Sequence, residues 1–511
     1  MSKRTRIWLL VGILIIATFL RFYHLTTTPP GLYPDEAMDG NNAAEVAATG
    51  HFQVFYPEDN GREGLYVNIV AVILKVWPVF EPWIIRLPAA VAGVLTVWGL
   101  YLLCAEIFST EVGLVAAFLL ATSFWHINFS RIGFRAILAP LLLTWTIYFL
   151  LKAFRAAKTA SANWYAVFAG FVYALGFYTY IAYRITPIIL LLFIPFFRKS
   201  KDFYKKVLIF LIVTIIVATP IGIYFAQNPG SFFGRTSQIS VTNASSPVYD
   251  LLVNIGKTAM MFNFHGDNNW RQNVSGAPEL FWPVGILFIL GIILTIAALI
   301  AACAYERRRT NTKKPAILVE KPFKDASFDI RFGLWLIILW FLFGGLPAVL
   351  SDEGIPHALR SILMLPPAIM FAAIGSVWLY EILCAHAKRE KKEWLVNALA
   401  TLFLISCAAF AYIDYFIIWA QNPNVPGAFN ADYVTIGNEI NALPASTPKY
   451  VVIEAGGVLV RGLPTPVETT MFITDSFTTS TQIAKNIHYL LPDQTSTIPV
   501  GTPDANIFYI D

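Results

Sequence analysis

Two adjacent carboxylates, Asp35 and Glu36, lie just beyond the first apolar run of the chain and are the residues best suited to do chemistry. That run, residues 7–22, would form a helix of roughly 24 Å, which is marginal for the hydrocarbon core of a bilayer but adequate when the polar side chains at its ends reach to the interface. The two acids therefore lie at a membrane–water boundary, where a carboxylate can stay ionised. A carboxylate there can take the proton of a weakly nucleophilic hydroxyl, which is typically worth about 10²–10⁴-fold in rate. Asp35 is the preferred general base, and Glu36 is the neighbour that could replace it.

A structural role is the alternative for this pair. Asp35 is also well placed to accept hydrogen bonds from the backbone N–H groups that open a helix over residues 37–48. The residues alone leave both readings open.

Arginines in several predicted outer loops suggest an anionic group next to the acids. A lipid-phosphate leaving group needs cations in a partly desolvated site, and arginine stays charged and pairs with two phosphate oxygens at once. For each arginine the alternative is an ordinary interfacial side chain that reaches towards water. The candidates for binding the donor phosphate are Arg62, Arg131, Arg135, Arg184, Arg271 and Arg360.

A polar run rich in Asn and Gly, residues 261–271, lies beside several aromatic residues. Such a run is typical of a loop that binds a sugar or a head group, and a plain surface turn is the alternative. His357 could donate to a phosphate or simply face the lipid, and neither reading is favoured. The substrate-binding candidates are Glu63, His265, Asp267, Asn268 and His357.

The four cysteines lie inside apolar runs, so they form neither a disulfide framework nor a metal-ligand cluster. No cofactor is expected, and a divalent metal ion is not indicated by the residues.

Composition defines the class of protein that must position these residues. Of the 511 residues, 57% are hydrophobic and 14% charged, which excludes a single soluble core and predicts an α-helical polytopic membrane protein. Membrane lipids are therefore expected partners, and no nucleic acid is. The first apolar run lacks a small-residue cleavage site, so it is interpreted as a retained span rather than a signal peptide.

Basic residues set the topology. They cluster at residues 3–6, 152–158, 198–206, 307–331 and 388–392, and the positive-inside rule places all five clusters in the cytoplasm. Counting residues 65–80 as a span would put the second cluster outside, so this segment is predicted to be an amphipathic or re-entrant helix on the outer surface. Eleven spans result, with a cytoplasmic N-terminus and a first outer loop at 23–87. The other ten are near residues 88–107, 112–128, 136–151, 163–180, 186–197, 207–226, 281–304, 332–350, 361–383 and 395–418.

The last ninety residues have a different character. Residues 1–420 are interpreted as a transmembrane catalytic domain, and residues 421–511 as a small extracytoplasmic α/β domain. Strands are predicted at 450–453, 469–473 and 507–510, and helices near 433–443 and 479–491.

The outer-loop residues resemble the lipid-phosphate-sugar-dependent glycosyltransferases of the GT-C superfamily, in particular the protein O-mannosyltransferase-like group that includes the bacterial aminoarabinose lipid A transferases. The resemblance extends over residues 1–370 and is most specific in the first 140. It rests on Pro30–Ala37 after the first span, Gly50–Phe52, Gly61–Gly64, Arg86–Ala89, Phe129–Arg131 and Gly266–Asn273.

The resemblance implies an inverting, metal-independent transfer of a sugar from a polyprenyl-phosphate donor on the outer face of the plasma membrane, with Asp35 as base, although some GT-C enzymes use a divalent ion. The acceptor would be a protein, lipid or glycan. This sequence departs from the pattern at Gly64, where related proteins commonly have proline, or a lysine just before it. Arg62 is therefore expected to substitute for that lysine.

Two other functions remain open. A transferase using a diphosphate-linked oligosaccharide or polymer should need more cations or a metal around the phosphates. A non-enzymatic translocator of lipid-linked sugars should show charged or broken helices at mid-membrane and a repeat between its halves, and the sequence shows neither.

Overall fold

Helices make up most of the chain, and the longest of them are apolar. The structure, a computed structural model, describes residues 1–156, 158–307 and 330–511, together with Ile317 and Phe323. The basic cluster predicted at residues 307–331 lies largely outside these described residues. The first helices are α1 (Lys3–Phe22), α2 (Pro34–Thr49), α3 (Leu65–Val76), α4 (Pro82–Ile107), α5 (Thr110–Ala121), α6 (Phe124–Phe129), α7 (Leu138–Arg155), α8 (Thr159–Gly176), α9 (Thr186–Leu190), α10 (Phe193–Phe197), α11 (Phe203–Gln227), α12 (Pro229–Gln238), α13 (Pro247–Met260) and α14 (Trp282–Arg307). Further helices are Ile330–Gly344, Leu346–Val349, Leu365–Arg389, Glu393–Tyr412, Asn424–Ala428, Ala431–Ala442, Glu468–Ile473 and Thr479–Lys485.

Within the described ranges, eight helices are long and apolar enough to cross a membrane, which confirms the polytopic class. They are Lys3–Phe22, Pro82–Ile107, Arg135–Arg155, Phe203–Gln227, Trp282–Tyr305, Ile330–Val349, Ile362–Arg389 and Glu393–Trp419. The three remaining predicted spans fall on α5 with α6, on α8, and on α9 with α10, which are shorter or interrupted helices. The count of eleven therefore stays a prediction.

Helix α4 forms ion pairs near both of its ends. Near its start, Arg86 pairs with Glu36 of α2, and near its end, Glu106 pairs with Lys152 and Arg155 of α7. Twenty residues separate Arg86 from Glu106, or roughly 30 Å along a helix. The α2 carboxylates and this basic cluster thus lie at opposite ends of the helices, as the predicted topology requires.

Helix α3 covers most of the segment predicted to lie on the outer surface. It has twelve residues, so it extends roughly 18 Å, well short of a bilayer core. At its start, Tyr66 Oη donates to the carbonyl oxygen of Ile85 at 2.6 Å. This bond ties α3 to the end of α4 that lies near Glu36, which supports the prediction.

The C-terminal segment is built around a small parallel sheet. Two short hairpins, β1 (Phe55–Tyr56) with β2 (Arg62–Glu63) and β4 (Leu459–Val460) with β5 (Leu463–Pro464), lie outside that sheet. The sheet has the order β6-β3-β7, from β3 (Lys449–Ile453), β6 (Ile487–Leu490) and β7 (Ile507–Ile510). This agrees with the predicted α/β character.

Two predicted elements of this segment differ from the structure. The strand predicted at 469–473 is the helix Glu468–Ile473, in which every residue is buried. A short apolar run that is buried all round does not distinguish strand from helix by its pattern. The helix predicted over 479–491 ends at Lys485, because Asn486 adopts a left-handed conformation (φ 52°), and the chain continues as β6.

The C-terminal segment packs directly on α2. The Nδ2 atom of Asn41 donates to the carbonyl and carboxylate oxygens of Glu468, at 2.9 and 2.7 Å, and Thr469 Oγ1 donates to the Leu32 carbonyl at 2.8 Å. A Cβ atom on Gly40 would lie only 2.5 Å from Ile85 and 2.7 Å from Phe472. Helix α2, which carries Asp35 and Glu36, is therefore packed between α4 and the C-terminal segment.

Candidate active site

Helix α2 begins so that its two acids point in different directions. Tyr33 is the N-cap, Pro34 occupies the first turn, and Asp35 lies inside the helix rather than at its cap. Asp35 is therefore not the N-cap residue that the structural alternative required. Its carboxylate, in the first turn, still interacts favourably with the helix dipole. Its side chain is 53% exposed, whereas Glu36 is completely buried.

Asp35 faces a cavity of about 470 Å³. Five of the arginines predicted to bind phosphate also line this cavity, which brings together side chains from separate loops. They are Arg62, Arg135, Arg184, Arg271 and Arg360. Arg131 is the sixth candidate and does not line it.

Arg62 holds the acidic side of the cavity together. It is 2% exposed and pairs with Asp35 at 3.4 Å, with Asp39 at 3.2 Å, and with Asp59. Three carboxylates surround one guanidinium, so Arg62 is engaged by the protein itself. Its Nε and Nη2 atoms face these acids, while its Nη1 atom is buried without a hydrogen-bond partner among the described residues, and its role as a phosphate ligand stays a prediction.

The enclosure of these acids makes them better bases. Asp35 lines the cavity, and desolvation by the surrounding protein raises its pKa above the ordinary value of 3.8, with Arg62 acting in the opposite direction. Burial also raises the pKa of Asp39, to about 6. A carboxylate with a raised pKa takes up a proton more readily, which suits Asp35 for general-base chemistry.

Glu63 orients two of the arginines. Its two carboxylate oxygens each lie 3.2 Å from a guanidinium nitrogen, one of Arg135 and one of Arg184. The Arg184 guanidinium also stacks on Phe232, 4.2 Å from the ring centre. Glu63 lines the cavity, but its oxygens are occupied by these pairs, so it positions arginines instead of binding a sugar.

Arg271 keeps hydrogen-bonding capacity for a ligand. Its guanidinium carbon lies 3.5 Å above the ring of Tyr33, the N-cap residue of α2. Among the described residues, no carboxylate lies within ion-pair distance of Arg271, and its Nε atom is buried without a hydrogen-bond partner. Arg360, by contrast, is held by Ser351 and Glu353.

Arg131 is a correction to the predicted cradle. It is fully buried and donates to the carbonyl oxygens of Leu20 at 3.1 Å and Thr28 at 2.8 Å. Its guanidinium also lies against the rings of Tyr415 and Phe416. It ties the end of α1 to the loop before α2, because the exposed carbonyls at a helix end need donors.

Glu36 is likewise structural and cannot replace Asp35. Its carboxylate pairs with Arg86 through two bonds of 3.0 and 3.1 Å and accepts the Gly133 N–H at 2.6 Å. Breaking such a buried pair by removing one partner typically costs about 3–5 kcal/mol.

The other predicted substrate-binding residues differ in whether they reach a cavity. Asp267 is 4% exposed, and its carboxylate accepts the backbone N–H groups of Ala358 and Asn269, both at 2.8 Å, so it ties two loops together. Burial raises its pKa to about 6. His265 is exposed and lines neither polar cavity beside these loops. Asn268 and His357 line a second cavity, and His357 also borders the first.

Sequence reasoning missed several residues of the cavity. Asp39 follows Asp35 by four positions on a helix, so the i,i+4 rule places both on one face and could have found it. Asp59 and Tyr33 are close in sequence to residues that were found. Arg235 also lines the cavity, but its helix α12 gave no signal. Among the described residues, no group of three His, Cys, Asp or Glu side chains could hold a metal ion.

Comparisons with known proteins identify the fold. Residues 66–224 match the family model described as dolichyl-phosphate-mannose-protein mannosyltransferase. No curated protein matches the chain significantly.

Solved structures match almost the whole chain. An Archaeoglobus fulgidus oligosaccharyltransferase, tethered to an acceptor peptide, is 15% identical over 96% of this chain, with a TM-score of 0.52. This chain covers 64% of that protein. ArnT from Cupriavidus metallidurans, bound to undecaprenyl phosphate, is 14% identical over 100% of this chain and 90% of its own, with a TM-score of 0.53. The fold of this chain is therefore that of the GT-C membrane glycosyltransferases, which confirms the resemblance found in the sequence.

Proposed function

We propose that this protein transfers a sugar from a polyprenyl-phosphate donor to a hydroxyl group at the outer face of the plasma membrane. The observation that carries the proposal is the single cavity that contains both a half-exposed carboxylate, Asp35, and a set of arginines. An acid alone could be structural, and arginines alone could bind any anion. Their combination fits a reaction that removes a proton at one side and releases a phosphate at the other.

The residues divide the work as follows. The acceptor oxygen attacks the anomeric carbon of the sugar while its proton passes to Asp35. The bond between the anomeric carbon and the phosphate oxygen breaks, and the lipid phosphate keeps the bonding electrons. A single displacement of this kind inverts the anomeric centre.

The arginines stabilise the charge that develops on the phosphate, because preorganised cations in a water-poor site lower the energy of that state. Arg271 contacts the phosphate in this scheme, with Arg135, Arg184 and Arg360 as further contributors. Glu63 and Arg62 hold their neighbours in place.

The similar proteins and the position of the cavity along the helices both support this proposal. One of the similar structures is described as bound to undecaprenyl phosphate, and the matched family model is named for a dolichyl-phosphate sugar donor. The separation of the cavity from Lys152 and Arg155 supports a cytoplasmic N-terminus and an extracytoplasmic C-terminal domain.

The central test is the Asp35→Asn variant of the full-length protein in lipid nanodiscs. It should lose at least about 10²-fold in transfer rate, since the amide cannot take up the proton. It should still bind donor lipid, because Asp35 is not a phosphate ligand. Asp432→Asn, an exposed acid on the helix Ala431–Ala442, is the matched control and should keep full activity.

The identity of the lipid product separates the alternatives. Mass spectrometry should detect a polyprenyl monophosphate formed in step with the glycosylated acceptor. A polyprenyl diphosphate would favour the oligosaccharide or polymer transferase. Transport of intact donor across the bilayer without any cleavage would favour the translocator, and near-normal turnover by Asp35→Asn would return Asp35 to a structural role.

A further inference from the structure

A second polar cavity lies beside the catalytic one and has no role in the scheme above. It has a volume of about 640 Å³ and lies between α13 and residues 352–357. We call it the α13 pocket. Asp250, Asn254 and Lys257 line it from the helix, and Asn268, Asp352 and His357 from the two loops opposite. A cavity of this volume is large enough for a sugar ring.

Helix α13 places this pocket at a membrane surface. Val248, Leu252 and Ile255 lie on one face of the helix and are 74%, 63% and 48% exposed. The pocket residues Asp250 and Lys257 lie on the opposite face, since seven residues make two turns. A helix with an exposed apolar stripe and a polar opposite face lies in the interface plane of a bilayer. The α13 pocket therefore opens where the head groups of membrane lipids are found.

The wall of the pocket is rigidly attached to the protein. Asn254 Nδ2 donates to the carbonyl oxygens of Val349 and Ser351, at 3.2 and 2.7 Å. On the opposite side, Asp267 joins its loop to Ala358. The pocket is thus formed between segments that bond to their neighbours in the protein.

The charge of the α13 pocket is opposite to that of the arginine side of the catalytic cavity. Three carboxylates line it, those of Asp250, Asp267 and Asp352, against one cation, Lys257. Carboxylates accept hydrogen bonds from hydroxyl groups and repel phosphates. The pocket therefore favours a head group rich in hydroxyls and disfavours an anionic one.

The two cavities share a boundary. Asn269 and His357 line both of them. Burial and the nearby arginines lower the pKa of His357 to about 3, so its ring is neutral, and its Nδ1 atom is buried without a hydrogen-bond partner among the described residues. A neutral imidazole can donate to or accept from a hydroxyl group. A ligand in the α13 pocket therefore lies next to the space that contains Asp35.

We propose that the α13 pocket binds the acceptor, and that the acceptor is a membrane amphiphile whose head group carries hydroxyls and no phosphate. This proposal rests on the proposed function and specifies its substrate class. The apolar face of α13 holds the helix at the membrane surface, the carboxylates and amides on its opposite face hold the hydroxyls of the acceptor head group, and His357 marks the side from which a hydroxyl reaches Asp35.

Photolabelling tests the pocket without requiring any turnover. The full-length protein in phosphatidylcholine nanodiscs is labelled with a dodecyl β-glucoside that carries a diazirine on its sugar, and the labelled peptides are mapped by mass spectrometry. Labelling is expected at residues 247–260 and 352–357. Dodecyl β-maltoside should compete, and dodecyl phosphate should not.

Charge reversal sharpens the test. The double variant Asp250→Lys and Asp352→Lys should label at least about tenfold less with the glucoside, as loss of charge-assisted hydrogen bonds predicts, and dodecyl phosphate should now compete. Asp432→Lys, outside the pocket, is the control and should label as the parent does. Labels scattered over the spanning helices, competition by dodecyl phosphate in the parent, or competition only by a soluble Ser/Thr peptide would each overturn the proposal.

Labelling also separates this proposal from the proposed function. Asp35→Asn should label like the parent, because it lacks only the base. If the protein never cleaves a donor but labels as expected, the catalytic proposal fails and the pocket stands. If it cleaves donor but does not label at these segments, the pocket fails and the catalytic proposal stands.

Discussion

The three carboxylates around Arg62 differ in how freely each can act. Asp39 is almost completely buried and Asp59 contacts Arg62 closely, whereas Asp35 reaches the open space of the cavity. One guanidinium therefore restrains all three acids but leaves one of them accessible. Asp35 was singled out from its position after the first apolar run, and the i,i+4 spacing was the signal that could have added Asp39.

The charge on Asp59 should set the acidic limb of the pH profile. Asp35 must be ionised to act as a base, so the transfer rate should fall as the pH drops through its pKa, which lies above 3.8. Asp59 raises that pKa by like-charge repulsion, and it also shares Arg62. In Asp59→Asn both effects are removed, so the pKa of Asp35 falls and the acidic limb should move to lower pH.

The measurement is the transfer rate from pH 4 to pH 8 at saturating donor. Asp475→Asn, in the C-terminal segment and remote from the cavity, is the control and should leave the limb in place. A limb that stays fixed in Asp59→Asn would mean that another group controls it.

Arg271 should contribute to donor binding through its forked guanidinium. A charge-assisted hydrogen bond to phosphate is worth roughly 1.5–3 kcal/mol, so Arg271→Ala should weaken donor use by about 10–100-fold. Arg271→Lys should recover only part of this loss, because lysine cannot pair with two oxygens at once or stack on Tyr33 in the same way. Donor KM and kcat are the measured quantities, and Arg389→Ala, at an exposed helix end, is the control.

At the scale of elements, the positions of the helices along the chain could be predicted from the sequence, but the contacts between them could not. Long apolar runs are local signals, so most of the long helices were predictable, whereas the side of the membrane on which each loop lies stays a prediction. The pairing of Glu36 with Arg86, fifty positions away, and the burial of Arg131 depend on packing that no local pattern encodes. The same limit explains why a buried six-residue helix, Glu468–Ile473, was predicted as a strand.

Helix α3 offers a test of the topology. Single cysteines placed at Asn60 and at Glu81, in a background without the four native cysteines, should both react with an impermeant maleimide added to intact cells. A cysteine at Lys391, in the turn after the helix Leu365–Arg389, should react only after permeabilisation. If the cysteine at Glu81 also needs permeabilisation, α3 crosses the membrane and the predicted loop assignments reverse.

At the scale of the whole molecule, the C-terminal segment contributes to the wall of the candidate active-site cavity. Val458 and Thr465 line the cavity, and Arg461 pairs with Glu45 of α2 at 2.7 Å and with Glu58 at 2.8 Å. The sequence showed that this segment has its own α/β character but could not show that it packs on α2. The resemblance ended before it, so no family pattern was available there.

Two glycines test this packing. Gly40→Ala should lower both Tm and transfer rate, because the added Cβ would overlap Ile85 and Phe472, and overpacking typically costs about 1–3 kcal/mol. Gly12→Ala is the matched control, since it also lies in a helix but has open space around it. It should be neutral or stabilising by up to about 1 kcal/mol. Equal Tm values for the two variants would show that the contact between α2 and the C-terminal segment is loose.

The bond between Asn41 and Glu468 joins residues 427 positions apart, and this has a consequence during synthesis. At roughly 5–20 residues per second, the ribosome needs about 20–90 s to make the chain between them. Throughout that interval the acids of α2 have left the ribosome while the segment that will cover the helix has not. We therefore expect the polar groups of α2 that bond to the last ninety residues, such as the Asn41 amide, to stay without these partners until that segment is made.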